Sequence, residues 1–285
     1  MEKYSINVLG FGDNVVDKYE HIKVMYPGGN CVNFAVYSKK FGVRKSAYMG
    51  YFGSDKEAEH VIDSLEKIGI ETIKCRQLEG ENGCAKVTLL NGDRVFLESN
   101  EGGIRGRVPF VLDRFDLEYI KQFDVVHSGN YSFMENELYK IKETGVYVSF
   151  DFSDDSTEAY LKKIAKNVDF AFCSFNGTEK ETKEYLKKIV DYGAETACAS
   201  RGADGCILYD GGDYFIQKAV PLEKVVDTMG AGDSLIASYL VSYLALIKKG
   251  IEKKEAIKMS LVKAAEFAAE ICAIDGAFGY GKKYE

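Results

Sequence analysis

The sequence predicts an α/β fold in which helices cover both faces of a largely parallel sheet and a small second sheet lies beside it. Short runs rich in β-branched residues alternate with amphipathic helical segments over most of the chain. This alternation is typical of parallel sheets, whose strands are joined by crossover helices. Two extended segments within the first hundred residues do not fit the alternation, and they predict the second sheet.

The first elements of the main sheet are two strands, each followed by a helix. INVLGFG (6–12) predicts a buried strand, and a helix that includes NFAVYSKKFG (33–42) ends at Gly42, since glycine readily adopts the C-cap conformation. KSAYMG (45–50) predicts the next strand. DKEAEHVIDSLEKIG (55–69) predicts a helix because its apolar residues recur at helical spacing and end at a glycine.

Later segments repeat the pattern of a strand followed by a helix and close with a hairpin. In chain order they are 124–129, 135–145, 146–153, 157–167, 169–176, 178–193, 195–202 and the hairpin CILYDGGDYFIQ at 206–217. Ligands of such sheets bind beyond the carboxyl ends of the strands. We therefore expect polar residues just after these strands to form any site.

The second sheet is predicted from inserted segments at about 15–28 and 71–100, within a single domain that spans 1–285. EHIKVMYPG (20–28) has the character of paired strands. KVTLLNGDRVFLES (86–99) carries Asn-Gly between two extended runs, a strong hairpin signal. We interpret this sheet as a lid, with an ordinary surface hairpin as the alternative. Its exposed strands favour a homodimer through edge pairing.

Composition excludes several classes of function. The net charge of −7 argues against a broad nucleic-acid surface. The 7 cysteines are scattered and the 3 histidines lie apart, which predicts reduced thiols and no zinc site. The N-terminus, MEKYSINVLGFG, lacks the apolar core of a signal peptide, and no stretch is apolar enough to span a bilayer. We expect a cytoplasmic protein that does not bind membranes.

The most informative stretch is VVDTMGAGDSLIASYL (225–240), where a strand-like apolar pair leads through a glycine-rich turn into an apolar helix. The turn residues Gly230, Ala231 and Gly232 can direct three N–H groups at one point, a suitable place for phosphoryl charge. Asp233 follows in the first helical turn. A carboxylate there cannot bind phosphate, but it can accept the proton of an attacking hydroxyl. The alternative is a capped helix with an acidic first turn.

Two stretches near the N-terminus favour a small polar ligand. In GFGDNV (10–15), a valine occupies the position of the third glycine of a dinucleotide fingerprint, and the carboxylate of Asp13 suits sugar hydroxyls better than pyrophosphate. In PGGNCVNFAV (27–36), paired glycines let a ligand approach the backbone, and the amide of Asn33 offers both a donor and an acceptor. The alternatives are a turn or helix cap for Asp13 and an ordinary helix start for the second stretch.

Two later stretches suit a nucleotide. CSFNGTEKE (173–181) places Asn176 and Glu179 on one face of a helix start, where they can hold a hydrated Mg²⁺ near phosphates. Plain helix capping is the alternative. SRGADG (200–205) is a glycine-rich turn that can pass under a nucleotide, and Arg201 can contact phosphate.

Together these motifs resemble a known family. DTMGAGDS (227–234) resembles the C-terminal signature of the ribokinase-like, or PfkB-type, carbohydrate kinases, and GGNCVNFAV (28–36) resembles their N-terminal signature. NGTE (176–179) is similar to the NxxE magnesium motif of the family, and SRGADG occupies the place of its nucleotide loop. The resemblance implies a ribokinase-like, Rossmann-like three-layer α/β/α sandwich with a small β-sheet lid, and a kinase that uses ATP and Mg²⁺.

The resemblance also implies roles for individual residues. Asp233 would be the catalytic base, and Gly230, Ala231 and Gly232 the anion hole. The sugar would be held by Asp13, Gly28, Gly29 and Asn33. The nucleotide and Mg²⁺ would be held by Asn176, Glu179 (the metal through water), Ser200, Arg201, Gly202 and Gly205. Asp227 occupies the position at which family members bind a monovalent cation such as K⁺.

Several stretches, among them GDNVVD (12–17) and FDFSD (150–154), are similar to bacterial fructoselysine 6-kinases. This resemblance implies that the acceptor is O6 of fructoselysine or a related fructosamine, with Arg94 of the lid near the substrate. The acidic residues considered for a cationic substrate tail are Glu98, Glu101, Asp154 and Asp155. A kinase for fructose, ribose or a nucleoside is the alternative, as is a non-catalytic sensor on the same fold.

Overall fold

The computed structural model describes residues 3–90, 93–154, 156–222 and 225–285, without the side chains of residues 89, 90, 93, 94 and 96. The strands are β1 (Tyr4–Gly12), β2 (Val15–Tyr19), β3 (Val24–Gly28), β4 (Val43–Phe52), β5 (Arg76–Gln77), β6 (Gly83–Leu90), β7 (Asp93–Ser99), β8 (Val125–Gly129), β9 (Tyr147–Asp151), β10 (Phe170–Ser174), β11 (Thr196–Ser200), β12 (Cys206–Tyr209), β13 (Tyr214–Gln217) and β14 (Lys282–Lys283). The helices are α1 (Asn30–Phe41), α2 (Lys56–Ile68), α3 (Ile104–Arg107), α4 (Arg114–Ile120), α5 (Leu138–Glu143), α6 (Glu158–Ala165), α7 (Glu179–Asp191), α8 (Ala231–Lys248) and α9 (Lys253–Ile271).

The main sheet has nine strands in the order β13-β12-β11-β10-β9-β8-β1-β4-β5. Strands from β11 to β5 in this order pair in parallel, whereas β12 and β13 pair antiparallel at one edge. The parallel strands place their carboxyl ends along one side of the sheet. The predicted alternation of strands and helices is therefore confirmed, including the hairpin at its end.

Helices cover both faces of this sheet, which gives three layers. Along β1, Val8 faces the apolar cluster that includes α1, α8 and α9. Its neighbour Leu9 faces a second cluster, to which α4, α5, α6 and α7 contribute. Successive strand residues point to opposite faces, so one buried strand contributes to both cores. Gly42 and Gly69 end α1 and α2 in the left-handed conformation, as their sequence positions predict.

A five-stranded second sheet has the order β14-β3-β2-β6-β7. It confirms a small sheet from the predicted segments but corrects its composition. Residues 71–82 do not join it, and β5 within them pairs with β4 of the main sheet. The two-residue strand β14 is added from near the C-terminus and pairs with β3. Such a short strand has no periodicity to reveal it, because its pairing depends on where the tertiary fold brings it.

The segment before α8 also differs from the prediction. Val225 and Val226 were expected to be strand-like, but they lie outside any strand, and the N–H of Val226 donates to the carbonyl of Cys272 (2.9 Å). None of the helices in the described ranges is long and apolar enough to cross a membrane.

Candidate active site

A polar cluster lies where β1, β8 and β9 end and where the N-termini of α1 and α8 meet. Asp13 follows β1, His127 lies in β8, and Asp151 is the last residue of β9. Asp233 is in the first turn of α8. Residues that are far apart in sequence meet here because the strands are parallel and the two helices start at the same edge.

The side chain of Asn30, at the start of α1, connects three members of this cluster. Its amide nitrogen donates to Oδ1 of Asp233 (2.8 Å) and to Oδ2 of Asp151 (3.0 Å). Its carbonyl oxygen lies 2.9 Å from Nε2 of His127. Both N–H groups of one amide thus hold two carboxylates in place.

His127 is fully buried and fixes the orientation of that amide. Burial lowers the pKa of His127 to about 3, so the ring is neutral at physiological pH. Because Oδ1 of Asn30 can only accept, the proton must sit on Nε2 of the ring. Nδ1 then accepts a hydrogen bond from the hydroxyl of Ser149 (2.8 Å).

Asp233 is held from a second side by Asn33. The amide nitrogen of Asn33 donates to Oδ2 of Asp233 (2.7 Å). The side chain is 3% exposed, and its carbonyl oxygen has no hydrogen-bond partner among the described residues. A buried acceptor without a partner is a candidate ligand contact. The amide nitrogen of Asn33 therefore donates to the carboxylate of Asp233, and its carbonyl oxygen can accept a hydrogen bond from a ligand.

Asp151 is a second carboxylate close to Asp233. Burial and, next, the charge of Asp233 raise the pKa of Asp151 to about 7. The backbone N–H of Ser153 partly opposes this by donating to its Oδ1 (3.0 Å). Two neighbouring carboxylates that share one amide resist simultaneous ionisation.

The start of α8 depends on Gly230. Its φ is +77°, and a Cβ there would stand 2.0 Å from the hydroxyl of Tyr37, which itself donates to the carbonyl of Ala277. The first helical hydrogen bond runs from the N–H of Ser234 to the carbonyl of Gly230 (2.8 Å). Earlier N–H groups of the helix have no intrahelical acceptor.

This geometry corrects the expectation that three consecutive N–H groups face one point. The N–H of Ala231 donates to the carbonyl of Thr228 (3.2 Å) and closes the turn. Of the three predicted residues, Gly232 lies in the first turn of α8, where a helix start offers its N–H groups to an anion.

Asp13 lies at the start of α1 and caps that helix. Its Oδ2 accepts from the N–H of Asn30 (2.7 Å), and its Oδ1 accepts from the N–H of Cys31 (3.2 Å) and the hydroxyl of Ser132 (2.8 Å). The structure thus places Asp13 in the capping role that the sequence left as the alternative. Contact with a sugar hydroxyl stays a prediction.

The paired glycines allow this close packing at the entrance to α1. A Cβ on Gly29, whose φ is +103°, would stand 2.8 Å from Oδ2 of Asp13. A Cβ on Gly28 would stand 3.2 Å from a carboxylate oxygen of Asp17 and 3.8 Å from Oδ1 of Asn33. Both glycines therefore border the polar cluster.

The predicted nucleotide residues lie at the ends of the next strands, β10 and β11. A cavity of about 20 Å³, enough for roughly one water, lies between these strand ends and the start of α8. Its lining includes Asp151, Ser174, Ser200 and Gly232. The strand ends that carry the predicted nucleotide residues and the start of α8 are thus contiguous.

Arg201 ties the two predicted nucleotide loops together. One guanidinium nitrogen donates to the carbonyl of Gly177 (3.2 Å), while Nε has no partner among the described residues. Gly202 and Gly205 have φ of +54° and +89° in the turn that follows. A Cβ on Gly205 would stand 2.0 Å from the carbonyl oxygen of Gln217, so this turn requires glycine.

The predicted magnesium motif, residues 176–179, is largely exposed. Thr178 and Glu181 form the capping box of α7. Asn176 is exposed, and Glu179 accepts a hydrogen bond from Lys183 (2.6 Å). Within the described ranges no three His, Cys, Asp or Glu side chains are grouped to hold a metal. One exposed carboxylate fits Mg²⁺ that keeps its waters and phosphate ligands.

Asp227 joins the second sheet to the segment that leads into α8. Its Oδ2 accepts from the hydroxyl of Tyr19 (2.7 Å) and the N–H of Gly276 (3.1 Å), and its Oδ1 accepts from the N–H of Met229 (2.9 Å). A role in binding a monovalent cation stays a prediction. The side chain of Arg94, predicted to touch substrate, lies outside the described residues.

A larger cavity, of about 240 Å³, lies on the other side of the second sheet. Its lining includes Lys18, Glu57, Lys86 and Glu98, which form the ion pairs Lys18–Glu57 and Lys86–Glu98. Side chains alternate along β2, so Lys18 points away from the face on which Asp17 borders Gly28. Glu98 therefore does not face the polar cluster.

Sequence reasoning missed three central residues, namely Asn30, His127 and Asp151. Asn30 stands inside the glycine motif PGGNCVNFAV, but the residues predicted from that motif to hold the sugar are Gly28, Gly29 and Asn33. His127 and Asp151 stand in predicted strands at the ligand edge of the sheet. The sequence therefore indicates that His127 and Asp151 lie near the ligand edge, but it does not indicate that the amide of Asn30 connects them.

The fold and the site first define a class of protein. A three-layer sandwich with a small sheet near its ligand edge, and a carboxylate at a helix start beside glycine-rich loops, is typical of phosphotransferases that act on alcohols. The sequence model of the pfkB family carbohydrate kinases matches residues 4–274. The chain belongs to this family, and it is a carbohydrate kinase.

Relatives and solved structures agree with this assignment. The chain is 39% identical over 281 residues to a fructosamine kinase of Bacillus subtilis, which covers 98% of this chain and 95% of that protein. It is 31% identical over 255 residues to fructoselysine 6-kinase of Escherichia coli, with coverage of 90% and 94%.

Ribokinase of Arabidopsis thaliana, solved with ribose and ATP, matches with a TM-score of 0.77 at 18% identity, covering 96% of this chain and 94% of that chain. Fructokinase of Xylella fastidiosa, solved with ATP, matches with a TM-score of 0.75 at 19% identity, and the coverage is 96% and 94%. At these identities the structures show the fold alone, and they confirm the ribokinase-like sandwich with its small sheet.

Proposed function

We propose that this kinase transfers the γ-phosphoryl group of ATP to O6 of a fructosamine, such as fructoselysine. The observation that carries the proposal is the carboxylate of Asp233, fixed at the start of α8 by the amides of Asn30 and Asn33. The similarity to kinases of fructosamine and fructoselysine supports the choice of substrate class.

Asp233 acts as the base for the attacking hydroxyl. As the substrate oxygen forms its bond to phosphorus and the bond to ADP breaks, the hydroxyl proton passes to the carboxylate. The two amides hold both carboxylate oxygens, so the base needs no reorganisation during transfer. The side-chain carbonyl of Asn33, which has no hydrogen-bond partner in the part of the chain that the structure describes, accepts a hydrogen bond from a sugar hydroxyl and orients the sugar.

The N–H groups at the start of α8 stabilise charge on the transferring group, together with the positive end of the helix dipole. Arg201 and the glycine turn at 202–205 line the nucleotide side. Glu179 and Asn176 would hold Mg²⁺ through water, and the ion would supply positive charge against the phosphates when it is bound with the nucleotide. Asp227 is the residue proposed to face a monovalent cation.

The second sheet serves as a lid over the sugar, within a single domain. Tyr19 in β2 reaches Asp227 next to α8, so the sheet contacts the segment that leads into the anion site. Closure would exclude water and protect ATP from hydrolysis. Dimer formation through the outer edge of this sheet is a further prediction.

The test is a coupled ADP-release assay with a panel of acceptors: fructoselysine, other fructosamines, fructose, ribose and nucleosides. We expect the highest kcat/KM with a fructosamine, and we expect the phosphate at O6 when the product is analysed by ³¹P–¹H correlation NMR. A preference for free fructose, ribose or a nucleoside would overturn the substrate assignment. Sugar binding without ADP release from any acceptor would instead indicate a sensor.

A further inference from the structure

The guanidinium group of Arg105, in α3, is a buried charge that the proposed reaction does not yet use. The residue is 2% exposed, and none of its three guanidinium nitrogens has a hydrogen-bond partner among the described residues. A buried charge without partners is costly, and arginine remains protonated even when buried. A ligand that brings hydrogen-bond acceptors and negative charge would therefore stabilise the buried guanidinium group.

Arg105 lies beside the proposed sugar pocket. Its guanidinium carbon stands 5.5 Å from the centre of the Phe133 ring. Phe133 directly follows Ser132, whose hydroxyl donates to Asp13 at the entrance of α1 (2.8 Å). Burial lowers the pKa of Arg105, while the charges of nearby groups, Asp13 and Glu135 among them, oppose that effect.

The neighbouring carboxylates are already engaged elsewhere. Asp13 accepts from two backbone N–H groups and from Ser132. Glu135 accepts a hydrogen bond from the hydroxyl of Tyr160 (2.7 Å). Both supply long-range attraction, but neither supplies the direct contacts that the guanidinium fork requires.

We infer that Arg105 binds the carboxylate of the amino-acid part of the substrate, a group close to the sugar ring. This inference rests on the proposed function. A sugar hydroxyl could occupy one donor, but it would leave the buried charge uncompensated. A carboxylate on the carbon next to the substrate amine can accept two parallel hydrogen bonds and neutralise the charge. Fructosamines formed from the α-amino group of an amino acid carry such a carboxylate.

The experiment compares two substrates of similar size that differ in this group, N-fructosylglycine and N-fructosylmethylamine. We expect Arg105→Met to raise KM for the glycine conjugate by roughly 10–150-fold, the range for a lost charged hydrogen bond. KM for the methylamine conjugate should change by less than about threefold, because that substrate offers no carboxylate. Arg105→Lys should recover only part of the loss, since lysine lacks the bidentate fork.

Arg107→Met is the matched control. Arg107 lies in the same helix, but its side chain is 63% exposed and faces Glu81 at 3.6 Å. The wild-type enzyme gives a readout that needs no variant: we expect it to prefer the glycine conjugate at least about tenfold in kcat/KM. That ratio tests the inference even if Arg105→Met fails to fold.

Two results would overturn the inference and leave the proposed function intact. One is a wild-type enzyme that phosphorylates both conjugates equally well. The other is a variant at Arg105 that weakens both conjugates by the same factor, which would mark a structural role. Phosphorylation of neither conjugate, nor of fructoselysine, would overturn the proposed function and the inference with it.

Discussion

Asp233 depends on neighbours that come from two other parts of the chain, α1 and β8. Asn30 and Asn33 hold its two oxygens, and His127 fixes the amide of Asn30 in turn. A carboxylate with both oxygens engaged cannot rotate away from an incoming hydroxyl. We therefore expect that the contribution of Asp233 to catalysis can be measured separately from its effect on ligand binding.

Asp233→Asn should retain binding of sugar and ATP but lower kcat by roughly 10²–10⁴-fold, because the base is removed while size and shape remain. Isothermal titration and steady-state kinetics measure the two properties. Glu255→Gln is the matched control, because Glu255 is also the third residue of its helix, α9, but is exposed. Near-normal kcat for Asp233→Asn would refute the base assignment.

Asp151 makes a second residue-level prediction, on the pH dependence of stability. Its pKa is about 7 in the folded protein, against about 4 in an unfolded chain. The folded state therefore holds a proton that the unfolded state has released, and this group lowers the free energy of unfolding as pH rises from about 4 to 7.

Asp151→Asn removes that dependence. Relative to the wild type, the variant should gain about 1–3 kcal/mol in free energy of unfolding between pH 5 and pH 8. Denaturant unfolding at both pH values measures the difference. Parallel shifts of wild type and variant with pH would show that Asp151 does not hold its proton.

At the scale of elements, the start of α8 is set by the packing of one glycine. Gly230 combines a left-handed backbone with contact to the hydroxyl of Tyr37 in α1, whereas a Cβ on Gly232 would meet nothing within 4 Å. The two glycines therefore have different structural requirements, although the sequence motif presents them alike.

Gly230→Ala should lower the free energy of unfolding by roughly 2–4 kcal/mol, from backbone strain and the clash with Tyr37. Gly232→Ala should leave it unchanged or raise it by up to about 1 kcal/mol, since alanine is the better helix former. Denaturant unfolding without ligands checks both. Equal losses in the two variants would contradict the assigned packing.

At the scale of the whole molecule, the hydrogen bond from Tyr19 to Asp227 connects the second sheet to the segment that leads into α8. Tyr19→Phe should raise KM for the sugar by roughly 3–15-fold, because one hydrogen bond between sheet and α8 entrance is lost. Stopped-flow and steady-state kinetics measure this effect.

Tyr284→Phe is the control for that variant. The hydroxyl of Tyr284 also donates to a carboxylate, Glu20 (3.0 Å), in the turn between β2 and β3. Its loss should leave KM for the sugar within about twofold of the wild type. Identical effects in both variants would argue that the contact of Tyr19 has no part in substrate binding.

Much of the molecule could be predicted from the sequence because local signals agree with the fold. The alternating strands and helices, the C-cap glycines at 42 and 69, and the hairpin at 206–217 all follow from propensity and spacing. The strand β14 and the true limits of the second sheet could not be predicted, since a short strand exists only through its partner.

The sequence by itself determined the family, the three-layer sandwich and the place of Asp233 at a helix start, because these depend on residues close together in the chain. Only the tertiary structure decided that Asn30 contacts both Asp151 and Asp233, across 121 and 203 positions of sequence. It also decided that Asp13 caps α1 and that Arg105 lies buried with no hydrogen-bond partner for its guanidinium group among the described residues. Such contacts arise where parallel strands end together, and no local pattern encodes which of their side chains meet.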